Sequence, residues 1–166
     1  MTRTLAPTLL VLLAAATTAL AGPFGAARLQ MAPELADGIT LTPEGLADVP
    51  ALQPFYASSG EPAEVQTRAW ALRGPEVLHL VVECMEPNME ALVAEQPPAE
   101  GDVEVFTDDC VEIFISADGS DDDYAHFATN ALGAKFDERV KDRSWDPQWE
   151  VDARRETDRW GLSVTI

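Results

Sequence analysis

Residues 108–116 read Asp108-Asp109-Cys110-Val111-Glu112-Ile113-Phe114-Ile115-Ser116. From Cys110 onward the side chains alternate. Val111, Ile113 and Ile115 fall on one side, and Cys110, Glu112, Phe114 and Ser116 on the other. Period-two alternation of β-branched and aromatic residues predicts a strand with one face on a core. Working outward, Tyr124, His126, Ala128 and Asn130 alternate with Ala125, Phe127 and Thr129, which predicts the next strand. The acidic turn 118–123 joins the two. Gly133 supports a turn into a short strand over 134–137.

The same reading extends to both sides. Val65 to Arg73 alternates, and Val77 to Cys84 is almost continuously apolar, as in a strand covered on both faces. Gly74-Pro75 joins these two as a hairpin. Met89, Leu92 and Val93 shift to helical spacing after Asn88, predicting one short helix that Pro97 and Pro98 end. Residues 150–156 and 161–166 supply two further strands, with Trp160 and Trp70 expected in the core. Short strands joined by turns predict an all-β, antiparallel sandwich of jelly-roll type. The chain stops inside a strand pattern, so the domain is expected to continue past Ile166.

The N-terminus is read separately. Arg3, the apolar run Leu9 to Ala16 and the small residues of Ala19-Leu20-Ala21 predict a secretory signal peptide over 1–21, cut after Ala21. The apolar run is shorter than the ~20 residues that a membrane-spanning helix needs. A lead-in would occupy 22–34 and the sandwich 35–166, secreted or periplasmic. The 166-residue chain carries 11 basic and 29 acidic side chains, net −18. The cut removes only Arg3 from that balance. Such a surface repels nucleic-acid phosphates and anionic lipid heads, leaving neither nucleic acid nor membrane insertion as an expected partner. In an exported protein, Cys84 and Cys110 are expected to pair as a disulfide, contributing about 3 kcal/mol by closing a loop of roughly 26 residues.

Several segments in order then resemble a known family. They are Leu35-Ala36-Asp37-Gly38, Leu78 to Cys84 followed by Glu86-Pro87, Asp108 to Ile115, Tyr124-Ala125-His126-Phe127 with Asn130 and Gly133, Trp145 to Trp149, and Trp160 with Val164 and Ile166. Together they are similar to the family 9 carbohydrate-binding modules, related to DOMON-type domains, over roughly residues 35–166. The resemblance implies a non-catalytic β-sandwich that binds a polysaccharide or glycan. It also implies bound calcium, a role in carbohydrate catabolism and frequent attachment to glycoside hydrolases. It places one aromatic platform at Phe106, where Trp is usual, and polar contacts at Glu112 and Asn130. A basic contact of some members is replaced by Ala128, and a second platform would lie past Ile166.

The residue types agree with such a site. A pyranose needs a flat apolar ring and planar polar groups. Phe106, Asp109, Glu112, Asn130, Trp145 and Trp149 supply them, with one of the two tryptophans expected in the core. Asp108-Asp109 and Asp121, Asp122 and Asp123 offer hard oxygen ligands for calcium. No organic cofactor is expected. No nucleophile elbow, zinc motif or phosphate loop occurs, so catalysis is not expected. Two other readings stay open: an interaction sandwich without sugar binding, and a haem-binding electron-transfer domain using Met85 or Met89 with His79 or His126.

Overall fold

The computed structural model describes residues 9–14, 32–57, 59–116 and 122–166. Eight strands occur among them: β1 Leu9–Ala14, β2 Thr67–Arg73, β3 Leu78–Met85, β4 Cys110–Ser116, β5 Ala125–Asn130, β6 Lys135–Arg139, β7 Glu150–Arg155 and β8 Arg159–Thr165. They form two four-stranded sheets, ordered β1-β4-β5-β6 and β2-β3-β8-β7. Every pairing is antiparallel except β1 with β4, which runs parallel with Leu9 opposite Val111. The expected sandwich is therefore present. The expected signal segment contributes β1, whereas the cut after Ala21 lies outside the described residues.

The core between the sheets follows from alternation. Ala69 and Ala71 of β2, Leu80, Val82 and Cys84 of β3, and Trp160, Leu162 and Val164 of β8 face Val111 and Ile113 of β4 and Phe127 of β5. The opposite residues of β2 and β3, Trp70, Leu72 and Val81, are buried as well. Their cover is the Pro-rich lead to β2: Leu46 packs on them with Leu35, Ile39, Leu41, Val49 and Ala51. The Trp70 indole donates to the Val49 carbonyl at 3.0 Å. Burial on both faces explains the unbroken apolar run in β3. At the rim of this face Glu83, only 2% exposed, is held by Arg68 and Arg159. A buried carboxylate of this kind persists only when paired.

Two expectations change. The helix expected near residue 90 is a single 3-10 turn, Met89–Ala91, and a second such turn spans Val105–Thr107. Asn88 makes no side-chain cap, and Leu92 already has extended backbone at ψ 121°. Three apolar positions at helical spacing give too few turns to repay helix nucleation. Met89 and Leu92 still pack on the core.

The disulfide is also absent: both cysteines are free and buried. Cys84 faces the core between the sheets, whereas Cys110 faces the outer side of the β1-β4-β5-β6 sheet, with Val105, Ala128, Ala134 and Phe136. A bridge would have to pass through a sheet. Burial pushes both thiols up to about 12, so neither offers a thiolate. A reductant is accordingly expected to leave the thermal midpoint unchanged, and a thiol reagent to label neither cysteine until unfolding. A midpoint falling with reductant would restore the bridge.

Candidate functional site

The outer face of the β4-β5-β6 half-sheet is a grid set by register. Phe114, His126 and Glu138 lie in one row, and Glu112, Ala128 and Phe136 in the next. His126 stacks on Phe114 with ring centroids 4.1 Å apart and planes 9° from parallel. Tyr124 extends the aromatic row, 5.8 Å from Phe114. Both ring nitrogens of His126 meet carboxylates: Nε2 lies 3.0 Å from Glu112 Oε2 and Nδ1 lies 3.3 Å from Glu138 Oε1.

Phe106 comes to this face from the second 3-10 turn. Its ring packs edge-on against Phe136 at 4.8 Å and reaches His126 at 5.9 Å, the two rings flanking Ala128 in the grid. It remains 39% exposed. Arg143 closes one rim, lying over the Phe136 ring at 4.9 Å and paired with Glu104. Phe106 and Glu112 thus share one surface with Phe114, Tyr124 and Glu138. A partly exposed ring beside fixed carboxylates is the equipment that a sugar's apolar face and hydroxyls call for.

The other expected sugar contacts are elsewhere. Asn130 is fully buried and its amide is spent. Nδ2 donates to the Gln96 carbonyl and to Asp108 Oδ2, both at 2.7 Å, and Oδ1 accepts from the Leu132 and Ala134 amides at 2.9 and 3.0 Å. An amide has two donor hydrogens and two acceptor lone pairs, so none is left for a ligand. The Leu132 and Ala134 bonds shape the β5–β6 turn, in which Gly133 takes φ +81°, a backbone state that favours glycine. Asp109 trades hydrogen bonds with Val93: Oδ2 accepts the Val93 amide at 2.8 Å, and the Asp109 amide donates to the Val93 carbonyl at 2.7 Å. Desolvation pushes the Asp109 carboxyl up, against that hydrogen bond. Asp109 therefore pins the loop ahead of β4.

Trp145 and Trp149 both serve the core, not one of them. They pack edge-on against Phe127 at 5.6 and 5.2 Å. Trp149 is buried, and its indole donates to Asp137 Oδ2 at 2.8 Å. Neither is a platform on the Phe106 surface, because Phe127 points to the opposite side of β5 from His126.

Of the expected calcium ligands, Asp121 lies outside the described residues. Asp123 turns both oxygens to Arg139, at 2.9 and 2.8 Å. Asp108 Oδ2 accepts from the Glu95 and Gln96 amides as well as from Asn130. Among the described residues no group of three His, Cys, Asp or Glu is arranged to hold a metal ion. Asp108 Oδ1, by contrast, is buried with no hydrogen-bond partner. Of the residues considered as haem ligands, Met85 ends β3. His126 has both nitrogens engaged, His79 Nδ1 lies 3.0 Å from Thr165 Oγ1, and Met89 packs on the core. Among the described residues no helix is long and apolar enough to cross a membrane.

Glu138, Phe114, Tyr124 and His126 were not expected as sugar-site residues. Alternation alone could have gathered three of them, since it places Phe114 with Glu112, and Tyr124 with His126.

No protein-family model matches the chain, nor does any curated protein. Solved structures do. A family 9 carbohydrate-binding module from Caldicellulosiruptor kristjanssonii, in complex with cellotriose, aligns with 95% of this chain at 14% identity and a TM-score of 0.51. The fold is that of the family 9 carbohydrate-binding modules. A second C. kristjanssonii structure of the same family, in complex with glucose, gives 13% identity and a TM-score of 0.50 over 95% of this chain and 68% of its own. A candidate carbohydrate-binding protein from Bacteroides uniformis gives 19% and 0.54, over 96% of this chain and 72% of its own. The chain spans 66% of the length of the cellotriose-bound family 9 module.

Proposed function

We propose that this protein is an exported, non-catalytic module that binds a glycan on the outer face of the β4-β5-β6 half-sheet. The observation that carries this reading is Phe106. It is a 39% exposed ring on a surface where Glu112 and Glu138 are held within two strands of each other. The ring suits the CH-rich face of a pyranose, and the carboxylates suit its hydroxyls. The family 9 fold, whose solved members hold cellotriose and glucose, supports the choice of ligand. The reading includes export by the 1–21 leader and service to carbohydrate breakdown, alongside a glycoside hydrolase.

A glycan array with the full chain tests the class of ligand. Phe106→Ala is expected to weaken binding at least about tenfold, about 1.4 kcal/mol. Its cost in stability should stay near about 1 kcal/mol, because the ring is partly exposed. An array blank for all sugars, or an unchanged affinity in the variant by calorimetry, would remove the proposal.

A further inference from the structure

His126 sits between two carboxylates with a ring nitrogen directed at each, 3.0 and 3.3 Å away. A neutral imidazole has one N–H and one bare lone pair, and a carboxylate has only lone pairs. In either neutral tautomer one of the two contacts would set lone pair against lone pair. The arrangement closes only if it holds one further proton.

The surroundings favour that proton on the ring. The charged groups that face it are Glu112 from β4 and Glu138 from β6. Arg143 Nε lies 3.8 Å from Glu138 Oε2, and Arg143 is itself paired with Glu104. With Glu112, Glu138, Glu104 and Arg143 counted together the site is negative, and a cationic His126 reduces that excess by one charge. The other packed groups are neutral: Phe114 stacked on the ring, Phe136 edge-on at 5.7 Å, and Phe106. A cation stacked on an aromatic face is favourable. The ring is 6% exposed, so water does little to satisfy a mismatched contact.

We propose that His126, protonated on both ring nitrogens, is the positioning residue of this face: it clamps Glu112 and Glu138 as fixed acceptors, so that glycan binding follows the proton on the ring. The ligand half of this rests on the carbohydrate-binding reading above. One oxygen of each carboxylate is spent on the clamp. The other oxygen of Glu112, Oε1, is left to accept a sugar hydroxyl, while Glu138 Oε2 faces Arg143 Nε at 3.8 Å. When the ring gives up its proton, one contact becomes repulsive and that carboxylate swings away.

Two measurements on the full chain decide it. Ring 15N chemical shifts in histidine-labelled protein, assigned with His79→Gln, report whether both nitrogens of His126 carry hydrogen. Cellotriose affinity is then followed across the same pH series. The expected result is an imidazolium in the binding-competent protein, with affinity falling at least about tenfold as that ring titrates. The profile should be flat in His126→Gln, which can donate to only one side at a time without changing charge. A neutral His126 ring throughout overturns the clamp, as does an affinity that stays constant while the ring titrates. If His126→Gln fails to fold, the wild-type comparison of shifts with affinity still decides. If cellotriose does not bind at any pH, the sugar reading fails for that ligand, and the ring shifts alone still confirm or overturn the clamp.

Discussion

Asn130→Ala is expected to lower the unfolding free energy by about 3–5 kcal/mol, among the largest losses a single substitution can cause here. The change removes four hydrogen bonds at one fully buried site. It strands the Leu132 and Ala134 amides and the Gln96 carbonyl, each costing about 1–3 kcal/mol when buried without a partner. The cavity is small, so the loss comes from unsatisfied polar groups rather than lost packing. Asn130→Asp separates the two causes. It keeps an acceptor for the two amides but sets a carboxylate beside Asp108, and it should be at least as damaging at neutral pH. Urea denaturation reads both variants. Glycan affinity per folded molecule should be unchanged in either. A strong affinity loss with intact stability would return Asn130 to the ligand site.

Trp149→Ala is the second large expectation, at about 3–5 kcal/mol. The indole is 4% exposed, packed edge-on against Phe127, and its N–H is bonded to Asp137 Oδ2. Truncation opens a cavity and also leaves Asp137 with no indole partner, although its other oxygen, Oδ1, already lacks one. Burial holds the Asp137 carboxyl above its usual range, and the Trp149 hydrogen bond works against that. Removing the indole should raise it further. The sign for stability follows. A carboxyl whose folded value is raised binds more protons when folded, so stability falls as pH rises through that range. The Trp149→Ala variant should therefore lose relatively more stability at neutral than at acid pH. Parallel loss at all pH values would mean that the cavity alone matters. Trp149→Phe should recover most of the packing and none of the hydrogen bond.

What the sequence showed of the fold was whatever alternation could carry. Cys110 to Ser116 forms a strand with the expected ends, and the faces of β4 and β5 are those read from spacing. Trp70 and Trp160 are in the core as expected. Alternation also held a warning about the cysteines, since it places Cys110 opposite Val111 and Ile113, away from the core that Cys84 joins. Reasoning from compartment hid it. Asn130 was misread for a different reason. Its four partners come from residues 96, 108, 132 and 134, and nothing local to the strand announces that a loop some thirty residues earlier will use up its amide. Glu138 was missed because β6 was expected to end at residue 137, one position short of the side chain that faces His126. Trp145 and Trp149 could not be sorted by pattern, because the polar segment holding them has no periodicity to say which side each ring takes.

The one parallel pairing has a consequence for how the protein is made. Leu9 meets Val111 roughly a hundred residues later, with no tight turn to bring them together, and contacts so distant along the chain form slowly. The hairpins β2–β3, β4–β5 and β7–β8 need no such search. During synthesis β1 emerges long before β4 exists, so its backbone N–H and C=O groups have no sheet to join. If residues 1–21 are the export leader proposed above, that leader would remain an unengaged apolar segment while it is being sorted, and only a chain that lingered unprocessed would tuck it against β4. Delay in processing would then do more than slow delivery: it would let the address label fold into the parcel.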